Sequence, residues 1–145
     1  MKTRRGRLAI AAALVVSVVL LGACAQSYPG GGSGGGDIID VNLSTQTMTL
    51  WRGGRLVLTT HISSGKPSTP TVQGRFSVYS MQGGWVHTHN GTVYKPLWFH
   101  GNYGVHGFGS VPNYPASHGC VRVPVGTQDQ VYANAYVGMA VWIHA

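Results

Sequence analysis

A glycine-rich segment at residues 30–36 most limits what this chain can fold into. Six of its seven residues are glycine, and such a segment buries too little apolar surface to offset the entropy lost on ordering it. It separates an apolar N-terminal region from roughly 110 further residues, which suffice for one modest hydrophobic core. We therefore expect residues 25–36 to form a flexible tether with a reach of roughly 20 Å, followed by a single domain over residues 37–145.

Residues 1–23 have the three-part layout of a secretory signal peptide. A basic region at residues 2–7 precedes an apolar run at residues 8–21, and small residues follow. The run is shorter than the ~20 residues that a transmembrane helix needs. We expect a signal peptide, with a transmembrane anchor as the alternative.

The sequence Leu21-Gly22-Ala23-Cys24 resembles a bacterial lipobox. In that motif the residues before the cysteine are removed, and the cysteine becomes the lipidated N-terminus. We expect residues 24–36 to hold a lipidated Cys24 and the tether, so that the domain is exported and anchored at the outer face of a bacterial membrane. It would face the periplasm or the cell wall. Plain secretion, with Cys24 removed or left as a thiol, is the alternative.

The charged residues exclude several classes of function. Four of the ten Lys and Arg residues lie in residues 2–7, and beyond residue 24 six basic and three acidic residues leave a net charge of +3. Binding to many phosphates requires a denser basic stripe, so we expect no nucleic-acid partner. Glu is absent, and Asp37, Asp40 and Asp129 are the only acidic side chains. This argues against paired-carboxylate glycosidases and multi-carboxylate Ca²⁺ or Mg²⁺ sites.

The hydrophobic periodicity beyond the tether is mostly two, which is typical of strands. Only residues 128–136 have helical spacing, with Val131, Tyr132 and Ala135 directed to a core. The pattern predicts a mostly β domain, either a small sandwich or a partly open barrel, with one short helix. Strands are predicted over residues 38–43, 47–52, 55–63, 75–79, 85–89, 92–94, 97–99 and 137–144.

Cys120 is the single cysteine of the expected domain. An unpaired thiol in an oxidising compartment indicates an intermolecular disulfide or a free reactive group. His106, His118 and Arg122 lie within 14 residues of it, and such neighbours lower the pKa of a thiol and activate it as a nucleophile. A buried, inert cysteine in a glycine-rich turn is the alternative that these residues leave open.

The hexapeptide Ser117-His118-Gly119-Cys120-Val121-Arg122, preceded by His106-Gly107, resembles the signature of the L,D-transpeptidase (YkuD-like) catalytic domain. The resemblance covers essentially all of residues 37–145. The stretch between His106 and Ser117 is ten residues, shorter than in many members. Further landmarks occur in the family's order: Ile39-x-Val41-x-Leu43-x-x-Gln46, Ser64-Gly65, Thr69-Pro70 with Gly74-x-Phe76, and Gly138.

The resemblance implies a cysteine-dependent acyl transfer on peptidoglycan stem peptides, without a cofactor and by a monomer. Cys120 is implied as the nucleophile that attacks the carbonyl between the third stem residue and the terminal D-alanine. D-alanine leaves, and the amine of a neighbouring stem resolves the thioester to a 3→3 cross-link. His106 is implied as general base and acid, and the carbonyl of Gly107 as the group that orients it. The family is also acylated by carbapenems more readily than by most penicillins.

Two histidines compete for the role of base. His118 is two residues from Cys120, so in extended backbone their side chains run side by side, whereas His106 comes from another segment and can meet the thiol. We expect His106 to be the base and His118 to shape the pocket. The backbone N–H groups of His118, Gly119 and Cys120 surround the nucleophile and are the expected donors to an oxyanion.

The remaining candidates would bind substrate. We expect Arg122 to hold a substrate carboxylate, with a surface ion pair or a side chain that serves for packing as the alternatives. We expect Ser117, Gly119 and Tyr103 to contact the stem peptide. Three other aromatic side chains before His106 are candidates for the same groove or for the core: Tyr94, Trp98 and Phe99.

Other functions remain open. Water as the acceptor would give an L,D-carboxypeptidase, and reversal would give cross-link cleavage or attachment of a protein to the wall. A catalytically inactive wall-binding lipoprotein is the non-enzymatic alternative. His87 and His89, with His106 and Cys120, suggest a zinc site, but the chain lacks a carboxylate base and we expect no metal. We expect Asp129 to lie in the first turn of the helix, where it would offset the helix dipole.

Overall fold

The computed structural model describes residues 36–145. The predicted signal peptide, the lipidation site Cys24 and nearly all of the tether lie outside the described residues. In chain order the elements are β1 (Ile38–Asn42), β2 (Thr47–Arg52), β3 (Arg55–His61), β4 (Gly74–Ser77), β5 (Ser80–Met81), β6 (Trp85–Thr88), β7 (Gly91–His100), β8 (Tyr103–Phe108), β9 (Val121–Pro124), α1 (Val125–Asn134) and β10 (Ala140–His144).

The strands form two mixed sheets. The first has the order β3-β2-β1-β10-β4, in which β1 and β10 are parallel and the other pairs antiparallel. The second has the order β5-β7-β8-β9, with β6 also paired to β7, and here β8 and β9 are the parallel pair. Helix α1 follows β9 directly and packs on β7, β8 and β9.

The hydrophobic core draws on both sheets and on the helix. Buried and half-buried residues alternate along β10, as expected for a strand with one face on the core, whereas four consecutive residues of the central strand β1 are buried. The buried core side chains include Ile39, Val41, Met48, Leu50, Ile62, Val78, Leu97, Phe99, Val105, Val121, Val123, Val131, Met139, Val141 and Ile143.

The predicted mostly β fold with one short helix is confirmed. Strand positions over residues 38–61 agree closely with the prediction, but three strands were not predicted: β5, β8 and β9. In β8, four consecutive residues from Gly104 to Gly107 are buried. A strand that is covered on both faces does not alternate between apolar and polar residues, so a search for period two misses it.

The helix was predicted with wrong bounds, since α1 begins at Val125 and ends at Asn134. Asp129 is therefore not in the first turn, and the expected dipole role is wrong. Its carboxylate instead accepts hydrogen bonds from Lys95 Nζ at 2.7 Å and from Tyr94 Oη at 3.0 Å, which lowers the Asp129 pKa. Asp129 thus joins the helix to β7.

Candidate active site

A cavity of about 610 Å³ opens over the second sheet. Its lining includes six of the eight residues predicted to act in catalysis or to bind substrate, among them both competing histidines and the thiol. Gly107 and Gly119 contribute backbone nearby rather than side chains. The cavity is lined by Tyr79, Thr88, His89, Asn90, Val93, Trp98, Gly101, Asn102, Tyr103, His106, Phe108, Ser117, His118, Cys120 and Arg122.

The parallel pairing of β8 with β9 brings His106 to Cys120. Val105 pairs with Val121 and His106 with Arg122, so Cys120, one residue before β9, continues the same register opposite Gly104. Paired residues on neighbouring strands share a face of the sheet, and so do residues two positions apart along one strand. The side chains of His106, Cys120 and Arg122 therefore lie on one face, and all three line the cavity.

The imidazole of His106 is buried and held by its neighbour's backbone. Its Nδ1 lies 3.0 Å from the carbonyl oxygen of Gly107. Because a carbonyl only accepts, Nδ1 carries the proton and Nε2 has the free lone pair. Burial lowers the pKa of His106 to about 4, with a smaller contribution from the positive charge of Arg122 and an opposing one from the Gly107 hydrogen bond. The ring is therefore neutral at physiological pH and able to accept a proton.

The thiol of Cys120 lies against the turn between β7 and β8. Its Sγ donates to the carbonyl oxygen of Asn102 at 3.4 Å. Burial raises the Cys120 pKa, whereas the backbone N–H of Gly104 and the charge of Arg122 act in the opposite direction. The resting pair is thus a neutral thiol and a neutral imidazole, and the thiolate forms only when the proton moves to a base.

The loop that carries Cys120 is folded around the Ser117 hydroxyl. Ser117 Oγ donates to the carbonyl oxygen of Cys120 and accepts from the backbone N–H of Gly119 at 3.1 Å. The N–H of Gly119 thus already has an acceptor within the loop, and its donation to an oxyanion stays a prediction. Gly119 has a φ of +124°, and a Cβ there would lie 2.8 Å from Tyr103, so only glycine fits between the loop and that ring.

Residues that follow β3 support this loop through hydrogen bonds. Ser63 and Arg122 exchange two backbone hydrogen bonds of 3.0 Å, and the carbonyl of Ser64 accepts from both Ala116 and Ser117. The side chain of Gln46 donates to Ser64 Oγ at 2.8 Å and accepts from the Ser64 N–H at 2.9 Å. The position of Cys120 thus depends on residues more than 50 positions earlier in the chain.

The comparisons with known proteins agree with this geometry. The family model of the L,D-transpeptidase catalytic domain, YkuD, matches residues 36–143. The chain belongs to this family. A search of curated proteins gave no match.

Solved L,D-transpeptidases share the fold. A structure from Xylanimonas cellulosilytica is 30% identical with a TM-score of 0.72, and the match covers 77% of this chain and 61% of that one. A Cys-to-Ser mutant from Enterococcus faecium is 25% identical with a TM-score of 0.67, covering 74% and 49%. The avibactam carbamoyl enzyme of Ldtfm is 26% identical with a TM-score of 0.68, covering 75% and 49%. The chain spans about half to three fifths of the length of these structures.

Arg122 is half-buried in this L,D-transpeptidase domain and packs over an aromatic ring. Its guanidinium carbon lies 4.2 Å from the centre of the Phe108 ring. The three aspartates pair elsewhere, with Arg52, His144 and Lys95. Within residues 36–145, Arg122 therefore lines the cavity without a carboxylate partner, which contradicts the alternative of a surface ion pair. The contact with Phe108 fits the alternative of a packing role, and the cavity position fits a role in substrate binding.

The remaining candidates divide between the cavity and other surroundings. His118 is exposed at the cavity, and Trp98 and Tyr103 line it. Tyr94 instead contacts Asp129 on the helix side of the sheet, and Phe99 is buried in the core. Asn102 and Gly104, which contact the thiol, were missed because a turn of this composition has no chemical signature in the sequence.

The zinc alternative gains no support from the arrangement of side chains. No group of three or more His, Cys, Asp or Glu residues close enough to hold a metal ion occurs in the described part of the chain. His87 Nδ1 is hydrogen-bonded to Thr92 Oγ1 at 2.9 Å, while His89 lies at the cavity.

Between residues 36 and 145, no helix is long and apolar enough to span a membrane.

Proposed function

We propose that this protein is an L,D-transpeptidase that forms a thioester on Cys120 and transfers the acyl group to an amine, giving 3→3 cross-links in peptidoglycan. The observation that carries the proposal is the pairing of a neutral, Gly107-bound His106 with the Cys120 thiol on one face of the second sheet. Family membership supports the reaction class.

Acylation would begin with a proton transfer. Nε2 of His106 takes the thiol proton as Sγ attacks the carbonyl carbon between the third stem residue and D-alanine. The negative charge moves to the carbonyl oxygen, which backbone N–H groups near Cys120 stabilise. When the intermediate collapses, the C–N bond breaks and His106 returns the proton to the amine of D-alanine. The enzyme is left with a thioester and a neutral imidazole.

Transfer would reverse these roles. The amine of a second stem attacks the thioester carbon and His106 accepts a proton from that amine. The C–S bond then breaks, and the departing sulfur takes this proton from His106, which restores the neutral thiol and the neutral imidazole. Because the pKa of Cys120 is raised and that of His106 is lowered, both groups start neutral. Proton transfer must therefore accompany the attack, which confines formation of the strong nucleophile to the occupied site.

Substrate binding would use the positive charge of Arg122. A stem peptide that ends in D-alanine carries a carboxylate, and a guanidinium binds carboxylates through two parallel N–H donors. Tyr103, Ser117, Gly119 and His118 would shape the groove around the peptide. We also propose that residues 1–23 direct export and that a lipid on Cys24 holds the domain at the outer face of a membrane, as a monomer.

The first experiment is an intact-mass measurement on the purified protein mixed with a disaccharide-tetrapeptide, with Cys120→Ala, His106→Ala and His118→Ala as variants. We expect the wild type to gain the mass of the donor minus D-alanine and to release a dimeric muropeptide. Cys120→Ala should give neither product, and His106→Ala should slow acylation far more than His118→Ala.

Other outcomes would change the assignment. An adduct that releases only tripeptide would make the protein an L,D-carboxypeptidase. An adduct on Cys120→Ala would exclude Cys120 as the nucleophile. Acylation that survives in His106→Ala but is lost in His118→Ala would reverse the roles of the two histidines. No adduct on a folded wild type would favour a wall-binding protein.

A further inference from the structure

The peptide bond between Gly119 and Cys120 is held by the hydroxyl of Thr71. Thr71 Oγ1 lies 2.7 Å from the carbonyl oxygen of Gly119 and 2.8 Å from the backbone nitrogen of Gly65. The N–H of Gly65 can only donate and the carbonyl of Gly119 can only accept, so the hydroxyl proton points to Gly119. Thr71 is only 5% exposed, which keeps water from competing for these bonds.

This bond fixes the direction of the N–H of Cys120. Every described peptide bond is trans, and in a trans peptide the C=O and the following N–H point in opposite directions. The carbonyl of Gly119 points to Thr71, away from the cavity, because Thr71 and Gly65 do not line it while Cys120 does. The N–H of Cys120 therefore points to the cavity side of the loop, beside its own thiol.

The backbone at Gly65 packs closely against the backbone at Gly119. A Cβ on Gly65 would lie 2.2 Å from the carbonyl oxygen of Thr69 and 2.9 Å from the Cα of Gly119. The segment from Gly65 to Thr71 thus touches the backbone of the nucleophile loop directly. Since the N–H of Gly119 is already bonded to Ser117 Oγ, the N–H of Cys120 carries more of any stabilisation of an oxyanion.

We propose that Thr71 is a positioning residue for acyl transfer. Its hydroxyl holds the Gly119–Cys120 peptide so that the N–H of Cys120 donates to the carbonyl oxygen of the tetrahedral intermediate. The hydrogen bond to Gly119 also polarises the peptide group, which makes that N–H a better donor. This inference rests on the proposed acyl-transfer function and adds a residue that does not touch the substrate.

The test compares two reactions of the same thiol. Acylation by imipenem passes through an oxyanion: Sγ attacks the ring carbonyl, the ring C–N bond breaks, and the nitrogen gains the proton. Alkylation by iodoacetamide displaces iodide at a saturated carbon and forms no oxyanion. Both rates are measured on the full-length protein by mass spectrometry of the peptide that contains Cys120, so that Cys24 does not interfere.

Thr71→Val keeps the shape of the side chain and removes the hydroxyl, whereas Thr71→Ser keeps the hydroxyl. Loss of one oxyanion donor costs about 10²–10³-fold in rate, and we expect a displaced donor to cost at least about tenfold. Thr71→Val should therefore acylate at least about tenfold more slowly, with alkylation within about threefold of the wild type. Thr71→Ser should restore acylation to within about threefold.

Three results would overturn the inference. Thr71→Val acylating at the wild-type rate would show that the hydroxyl does not matter. An equal fall in acylation and alkylation would show a general disturbance of the loop. A wild type that is alkylated but never acylated would overturn the proposed function and this inference with it. Should Thr71→Val fail to fold, as judged by near-UV circular dichroism, Thr71→Ala takes its place under the same criteria.

Discussion

His106 shows how one buried side chain couples the chemistry of the site to the stability of the fold. Its pKa falls from 6.5 to about 4, chiefly because burial disfavours the charged ring. Between these two values the unfolded chain binds a proton that the folded protein does not. The free energy of unfolding is therefore highest above pH 6.5, where His106 is neutral in both states, and it decreases as the pH falls from 6.5 towards 4.

We predict that lowering the pH from 7.5 to 5 removes about 2 kcal/mol from the free energy of unfolding through His106 alone. Urea unfolding at the two pH values measures it, with His106→Asn as the control because its side chain does not titrate. The pH-dependent loss should be smaller in the control by that amount. Equal losses in both proteins would show that the imidazole is not held neutral by the fold.

The same pKa shift predicts that the rate of Cys120 acylation declines only below about pH 5 and not near pH 6.5.

At the scale of elements, Gln128 joins helix α1 to strands β7 and β8. The side chain is fully buried, and its Nε2 donates to the carbonyl oxygens of Lys95 in β7 at 2.8 Å and Val105 in β8 at 3.4 Å. Lys95 has a φ of 45°, at an irregularity in the pairing of β7 with β8. The helix therefore holds a strained strand position close to the segment that carries His106.

We predict that Gln128→Met lowers the free energy of unfolding by about 1–2 kcal/mol, because two buried carbonyl groups lose their donor. The loss of stability is limited because the substitution also removes Gln128 Oε1, a buried oxygen that has no hydrogen-bond partner within the described residues. Gln130→Met, at an exposed position of the same helix, is the matched control and should change stability by less than about 0.5 kcal/mol. Chemical denaturation measures both variants, and equal effects would contradict a bridging role.

On the scale of the whole molecule, the start of the folded domain is fixed by contacts of Asp37. Its carboxylate accepts from the N–H of Gly53 at 2.6 Å and from the hydroxyl of Tyr136 at 3.0 Å, and Arg52 lies 3.4 Å away. These contacts lower the pKa of Asp37. They connect the first described residues to the β2–β3 turn and to the chain just after α1. The tether proposed for residues 24–36 would therefore end at a residue that is bound to the domain.

We predict that Cys24→Ser releases the protein from the membrane and leaves the catalytic domain intact. In bacterial cells fed an alkyne fatty acid, the wild type should be labelled and should partition into the detergent phase of Triton X-114. The variant should be unlabelled and remain in the aqueous phase, with the imipenem acylation of Cys120 unchanged. Labelling that persists in Cys24→Ser would contradict lipidation at this residue.

The sequence by itself determined the fold class and the two segments that hold His106 and Cys120. These features are local: a period of two in the strands over residues 38–61, and a hexapeptide around Cys120. The same pattern missed β8, because four consecutive residues of this strand are buried and no alternation is left. It also missed β9, whose buried residues do alternate but which spans only four residues, the shortest run in which alternation indicates a strand.

Only the tertiary structure decided which groups surround the thiol and what state they are in. The parallel register of β8 and β9 sets His106 diagonally across from Cys120, and burial, which no local pattern reports, holds the imidazole neutral. Thr71 shows the same limit. In the sequence it is a polar residue after a Thr-Pro pair, but the fold places its hydroxyl 2.7 Å from the carbonyl of Gly119, 48 residues away. Contacts of that separation depend on how the sheets and loops pack, and this is why the sequence identified Cys120 as a candidate nucleophile and the structure supplied its surroundings.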